Sequence, residues 1–304
     1  MAAADQYLQA ASPVRADGCL LFSERTRLRY SWYDRTSYMK GLKGLYERVL
    51  EETSVGLRIL TAVNLDSQML DQCSVVVLME SSGLNATAAE KIRNYTLHGG
   101  TLIVSGDAMR FGVQGERLPD FVRSTDLIGV HYQETRCFSE PTQWVISDSG
   151  NTQPPFAAIS LSSSPSCVNV VSTELTTKTI KTVTVLNASG GKLQIPLVTR
   201  RSVGRGTVFY VAAKQDNSIG ADSNLTTGLL HGIMLGDNTM PPALRLPFFV
   251  KGPADPGERV VVTKQSKRWV IYFVGNASTT VTLTKAAFPD ATRVGAVRSW
   301  HDNG

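Results

Sequence analysis

Between residues 19 and 110 the chain alternates short apolar runs with longer amphipathic stretches. CLLFS (19–23) reads as a strand and is followed by the polar segment ERTRLRYSWYDRTS. YMKGLKGLYERVLEETS then places Tyr38, Leu42, Leu45, Tyr46, Val49 and Leu50 at helical spacing, the stripe of a helix packing on a sheet. LRILTAV predicts a second strand, residues 66–72 a connection, and CSVVVLME a third strand whose continuous β-branched run suits burial on both faces. SSGLNATAAEKIRNYTLHGG carries the signals of a complete helix. Asn85 or Thr87 can cap its start, Thr87 with Glu90 forms a candidate capping box, Gly99 closes the end, and Ala89, Ile92 and Leu97 face the sheet. TLIVS (101–105) predicts a fourth strand. Strand and helix in alternation predict an α/β fold with a doubly wound parallel sheet.

From 121 to about 195 the pattern changes to Ser, Thr, Pro and Gln with short alternating runs such as TQWVISD and KTVTVLNA, a β-rich insertion. The sheet is expected to resume with IPLVTRRSVGRGTVFYVAA, two strands around Gly204-Arg205-Gly206, and to close with a helix over NLTTGLLHGIMLG. After MPPALRLP the tail alternates in period two, and polar turns at 265–267 and 275–277 divide it into three strands of a meander. The expected organisation is a leader (1–18), an α/β domain (19–240) carrying the insertion, and a small antiparallel β domain (241–304) with no closing strand, as if more chain followed.

Composition narrows the class. The chain has 304 residues, 42% hydrophobic and 19% charged, and no apolar run approaches the ~20 residues of a membrane helix. The net charge of +5 comes without a dense Lys/Arg run, so neither nucleic acid nor a membrane span is expected. The N-terminus lacks the basic and apolar regions of a secretory signal, which leaves the compartment open. Five N-x-S/T sequons, at Asn85, Asn94, Asn187, Asn224 and Asn276, matter only if the parent protein is secreted.

Four cysteines lack CxxC spacing, and the four histidines (His98, His131, His231, His301) lack metal-ligand spacing, so neither metal nor cofactor is expected. Cys19 and Cys73 lie beside apolar runs and read as buried thiols, whereas Cys137 and Cys167 share one Ser/Thr/Pro-rich region and are able to pair. His98 precedes Gly-Gly at a helix end, where its charge suits the helix dipole.

In a parallel sheet the ligand crevice opens at the carboxyl ends of the strands. The crevice candidates are Ser23, Glu24, Ser81, Ser82, Ser105 and Gly106, with Glu80 and Asp107 as the catalytic candidates, two carboxylates at adjacent strand ends. The competing reading of Asp107 is a turn or helix cap. VSGDAM has the small residues of a nucleophile elbow but neither G-x-S-x-G nor a cysteine, and Ser105 precedes the turn.

Four stretches, LLFSERTRLRY, CSVVVLMESSGLNATAAEKIRNYTLHGGTLIVSGDAM, IPLVTRRSVGRGTVFYVAA and the tail RWVIYFVGNASTTVTL, resemble the class I glutamine amidotransferase-like domain of the β-galactosidase trimerisation type, found beside glycoside hydrolase barrels. The resemblance covers most of 19–285 and leaves the insertion unmatched. It implies a flavodoxin-like sheet and a non-catalytic accessory role: a homo-oligomer interface, or loops lent to a partner barrel. In catalytic relatives a cysteine sits on the elbow after the fourth strand. Here Ser105, Gly106 and Asp107 stand there, so the amidotransferase reaction does not carry over. The barrel expected before such a domain is not among these residues, which leaves a fragment of a longer hydrolase or a free-standing relative. Two rival readings are a free-standing hydrolase using Glu80 or Asp107, and a carbohydrate-binding module stacking sugars on Trp144, Trp269 and Tyr272.

Overall fold

The computed structural model describes residues 18–33, 37–52, 57–73, 75–111, 116, 125–137, 144–148, 167–186, 192–214, 248–251, 259–265, 268–274 and 280–283. Among the described residues eight strands form the central sheet. Its parallel part comprises β1 (Gly18–Phe22), β2 (Leu57–Thr61), β3 (Val75–Met79), β4 (Thr101–Ser105) and β10 (Gly206–Val211). The antiparallel part continues through β9 (Lys192–Val203), β8 (Thr177–Leu186) and β6 (Trp144–Asp148), in the order β2-β1-β3-β4-β10-β9-β8-β6. The protein is thus an α/β fold on a mixed sheet rather than a purely parallel one. Two strands of the β-rich stretch, β6 and β8, extend the sheet itself.

The parallel strands owe their place to burial on both sides. All five residues of β3 and all five of β4 are buried, as suits the apolar run of β3 and the apolar centre of β4; Thr101 and Ser105 are the polar ends of β4. On one face Leu20, Val77, Ile103 and Phe209 pack with Tyr38, Leu42 and Leu45 of α2 (Ser37–Glu52), and Tyr46 lies partly buried beside them; the side chains of Val49 and Leu50, the rest of the predicted stripe, lie outside the described residues. On the other, Val76, Leu78, Leu102 and Val104 pack against α4 (Ala86–Leu97).

Asn85, not Thr87, caps α4, its Oδ1 accepting the Ala88 N–H at 2.7 Å. At the other end Gly100 N–H bonds back to the Tyr95 carbonyl across Gly99 at φ +114°, a left-handed turn suited to glycine. The buried side of α4 runs through Ala88, Ile92, Tyr95 and Thr96. Ala89 is only partly buried and Leu97 half-buried, so the stripe is turned slightly from the expected one, because the Tyr95 hydroxyl reaches the carbonyls of Cys73 and Thr101.

Three further elements were not foreseen. The polar segment after β1 is a helix, α1 (Glu24–Tyr33), and the connection before β3 contains α3 (Ser67–Asp71). A short turn of helix, α5 (Thr125–Ile128), precedes a two-stranded ribbon of β5 (Val130–Cys137) and β7 (Cys167–Thr173). In the tail, β12 (Arg259–Gln265) and β13 (Arg268–Val274) form the expected hairpin. Among the described residues β14 (Thr280–Leu283) pairs with β11 (Phe248–Lys251), where the expected meander would have paired it with β13. The helix expected after β10 lies outside the described residues.

The cysteines require one correction. Cys19 and Cys73 are buried as expected, but they are joined in a disulfide. β1 lies directly beside β3, with Cys19 opposite Val76, and this neighbourhood brings the two sulfurs together although β2 intervenes in the chain. The second disulfide joins Cys137 to Cys167, which face each other across the β5–β7 ladder.

Candidate functional site

The carboxyl ends of β3, β4 and β10 converge on the turn after β4. Gly106 there has φ +57°, a left-handed conformation, and its N–H bonds to the Val211 carbonyl. The space a side chain would occupy is already filled. A Cβ on Gly106 would fall on the carboxyl group of Glu80. Glu80 is fully buried, and it too takes a positive φ, 51°, a conformation costing about 1–2 kcal/mol for a residue with a Cβ. Its Oε2 accepts the Asp107 N–H at 3.0 Å, so the two sequence-predicted carboxylates meet through a backbone amide.

Asp107 is 4% exposed and held by three side chains. Arg110 Nη1 lies 3.0 Å from Oδ1, Lys214 Nζ lies 2.7 Å from Oδ2, and Asn169 Nδ2 donates to Oδ1 at 3.2 Å. Burial by itself would raise the Asp107 pKa, but Lys214 above all, with Arg110 and Asn169, holds the carboxyl below its usual value. Asn169 Nδ2 and the Tyr210 hydroxyl also donate to the Gly106 carbonyl, at 2.9 and 3.2 Å. Burial, first of all, pushes the Tyr210 phenol well above its ordinary range, so it stays a neutral donor.

The ribbon closes over this cluster. The guanidinium of Arg110, itself fully buried, stacks 3.2 Å from the ring centre of Tyr132 on β5. Thr135 on the same strand donates to Asn169 Oδ1 at 2.8 Å. A lone antiparallel bridge, Val168 to Ala213, joins β7 to the chain beyond β10.

Of the remaining crevice candidates, Ser23, Ser81 and Ser82 are internal fastenings. Ser23 caps α1, its Oγ accepting the Thr26 N–H, and donates to the Gly83 carbonyl. Glu24 is at the surface, paired with Arg27. Ser81 Oγ donates to the Leu21 carbonyl at 2.9 Å, and Ser82 Oγ accepts from Arg29 of α1. Arg29 also covers the Phe111 ring, while the Met109 and Phe111 amides bond to the carbonyls of Ser81 and Ser82. Ser105 is the last, buried residue of β4, and its hydroxyl has no hydrogen-bond partner among the described residues. Trp144 opens β6, and Trp269 and Tyr272 lie in β13; their side chains fall outside the described residues.

Arg110, Asn169, Tyr210 and Lys214 complete the site and were missed from sequence. Lys214 follows VFYVAA at the end of β10, so extending the strand-end rule to that run would have found it. Asn169 sits in an alternating strand with no local signal.

Fold and site together define an α/β domain whose strand-end crevice is filled by its own polar side chains. No family model and no curated protein matches the chain. Among solved structures it is similar to the β-galactosidase of Bacillus circulans sp. alkalophilus (TM-score 0.63, 16% identity), covering 88% of this chain and 36% of that one. It is also similar to the β-galactosidase of Rahnella sp. R3 (0.59, 14%, 86% and 36%). A third is a GH42 β-galactosidase of G. stearothermophilus (0.60, 12%, 86% and 34%). These TM-scores, at such low identities, establish a likeness of fold alone. The chain spans about a third of the length of these enzymes. Among the described residues no helix is long and apolar enough to cross a membrane.

Proposed function

We propose that the chain is a non-catalytic accessory domain of the amidotransferase-like, flavodoxin-like type, related to the trimerisation domains of β-galactosidases. It acts through an oligomer interface or through loops lent to a glycoside hydrolase barrel. The observation that carries this reading is the extent of the fold likeness, nearly the whole chain against a third of a β-galactosidase. The filled elbow supports it: an attacking group on Gly106 would need the space held by Glu80, and Asp107 is neutralised by Arg110 and Lys214. The expected outcome is no turnover of aryl-galactosides by the purified chain, together with self-association in light scattering. A monomer that fails to bind a GH42-type barrel would overturn the interface role.

A further inference from the structure

The two disulfides occupy opposite environments. Cys19–Cys73 is completely buried in the core, whereas Cys137 is exposed and Cys167 half-buried at the end of the β5–β7 ribbon. That end of the ribbon is also the one wired to the elbow. Asn169, two residues beyond Cys167, bonds to Asp107 and to the Gly106 carbonyl. Thr135, two residues before Cys137, bonds to Asn169. The Lys214 N–H bonds to the carbonyl of Cys167 at 3.0 Å, while the Lys214 ammonium pairs with Asp107. The cross-link therefore fixes a hydrogen-bonded path of a few residues that ends on the elbow.

We propose that Cys137–Cys167 is a thiol–disulfide exchange site for a dithiol reductant, and that its opening releases the ribbon from the elbow while Cys19–Cys73 stays closed. A thiolate of the dithiol attacks Sγ of Cys137, the more exposed residue of the bridge. The S–S bond breaks, and its electron pair leaves on Cys167 Sγ, which takes a proton from water. The second thiol of the reductant then attacks the mixed disulfide and frees Cys137 as a thiol. Two electrons pass from the dithiol, oxidised to its own disulfide, to the protein, which gains two thiols. Access selects between the two bridges, because the attacking thiolate needs an approach in line with the S–S bond and no such path reaches sulfurs buried in the core. Once the link is gone the ladder frays from Arg136 and Val168 inward, and Asn169 and Lys214 lose their fixed positions.

The test titrates the full chain with dithiothreitol under native conditions, alkylates the freed thiols and maps them by mass spectrometry, with hydrogen exchange on the same samples. The expected result is alkylation of Cys137 and Cys167 before Cys19 and Cys73, with exchange at the Asn169 and Lys214 amides faster by about tenfold or more. The double variant C137S/C167S is expected to show the same exchange without reductant and to retain the Cys19–Cys73 bridge. Opening of Cys19–Cys73 first or at the same reductant concentration would overturn the proposal. So would selective opening that leaves exchange at Asn169 and Lys214 unchanged.

Discussion

The chain up to Phe111 and the later strands β6, β8, β9 and β10 build the same sheet by different means, and the β5–β7 ribbon joins the second group at the site. In the first region β3 and β4 are buried along their whole length, β3 as an unbroken apolar run and β4 through its apolar centre Leu102–Val104. In the second, β9 mixes buried and exposed positions, and much of the information lies in polar contacts made across the fold. The strand-end cluster is where the two meet. The first region contributes Glu80, Asp107 and Arg110, and the second contributes Asn169, Tyr210 and Lys214 as clamps. A buried charged group is tolerable only when its partners are in place, so the cluster makes each region depend on the other.

Four mutational tests probe that division, beginning with the largest effect. Gly106→Cys places a thiol on the turn and is expected to destabilise the fold by about 4 kcal/mol or more, because it adds a clash with Glu80 to a left-handed backbone. Chemical denaturation measures it; a stable Gly106→Cys protein with a thiol reactive to alkylation would show that the elbow is open.

Asp107→Asn removes the charge that joins the two regions and leaves Arg110 and Lys214 facing a neutral amide. The expected cost is about 3 kcal/mol, the scale of breaking a buried pair. The same group sets an acid dependence. Its folded pKa is depressed, so its contribution is complete above the unfolded value of about 4 and is lost as pH falls through the lower folded value. Thermal melts between pH 6 and pH 2 should show a decline in the native chain that is smaller in Asp107→Asn, and parallel declines in the two would remove Asp107 from the account.

Within the first region alone, Cys19→Ser with Cys73→Ser opens the buried bridge across a 54-residue separation and should cost about 2–4 kcal/mol. The smallest effect is local. Asn85→Ala is expected to cost about 1 kcal/mol and Thr87→Ala less than about 0.5, since Asn85 holds the cap. A reversed order in denaturant midpoints would move the start of α4.

The difference between the regions also explains what was legible. Strands β1 to β4 and helices α2 and α4 follow from periodicity and caps, because local pattern and final burial agree there. Helix α1 escaped because ERTRLRYSWY has no apolar stripe. It is fastened instead by Ser23, Thr26 and Arg29 reaching Gly83, Ser82 and Phe111, contacts that exist only after β3 and β4 are placed. The Cys19–Cys73 bridge escaped for a related reason: it depends on strand order, which no local pattern records. At the site, Glu80, Gly106 and Asp107 were marked by the strand-end rule, yet the fact that Glu80 fills the space beside Gly106 depends on a lateral contact between two strands. Asn169 is 62 residues from Asp107, and nothing in its own strand distinguishes it.

The most direct test of the filled elbow is a double-mutant cycle between Gly106→Ala and Glu80→Ala, read by urea denaturation. If the Glu80 carboxylate occupies the space of an elbow side chain, Gly106→Ala should be severely destabilising in the native background. Once Glu80 is truncated it should cost only the left-handed backbone term, about 1–2 kcal/mol, giving a coupling of about 2 kcal/mol or more. Effects that add to within about 0.5 kcal/mol would mean that Glu80 does not close the elbow, and the account of a filled crevice would be contradicted.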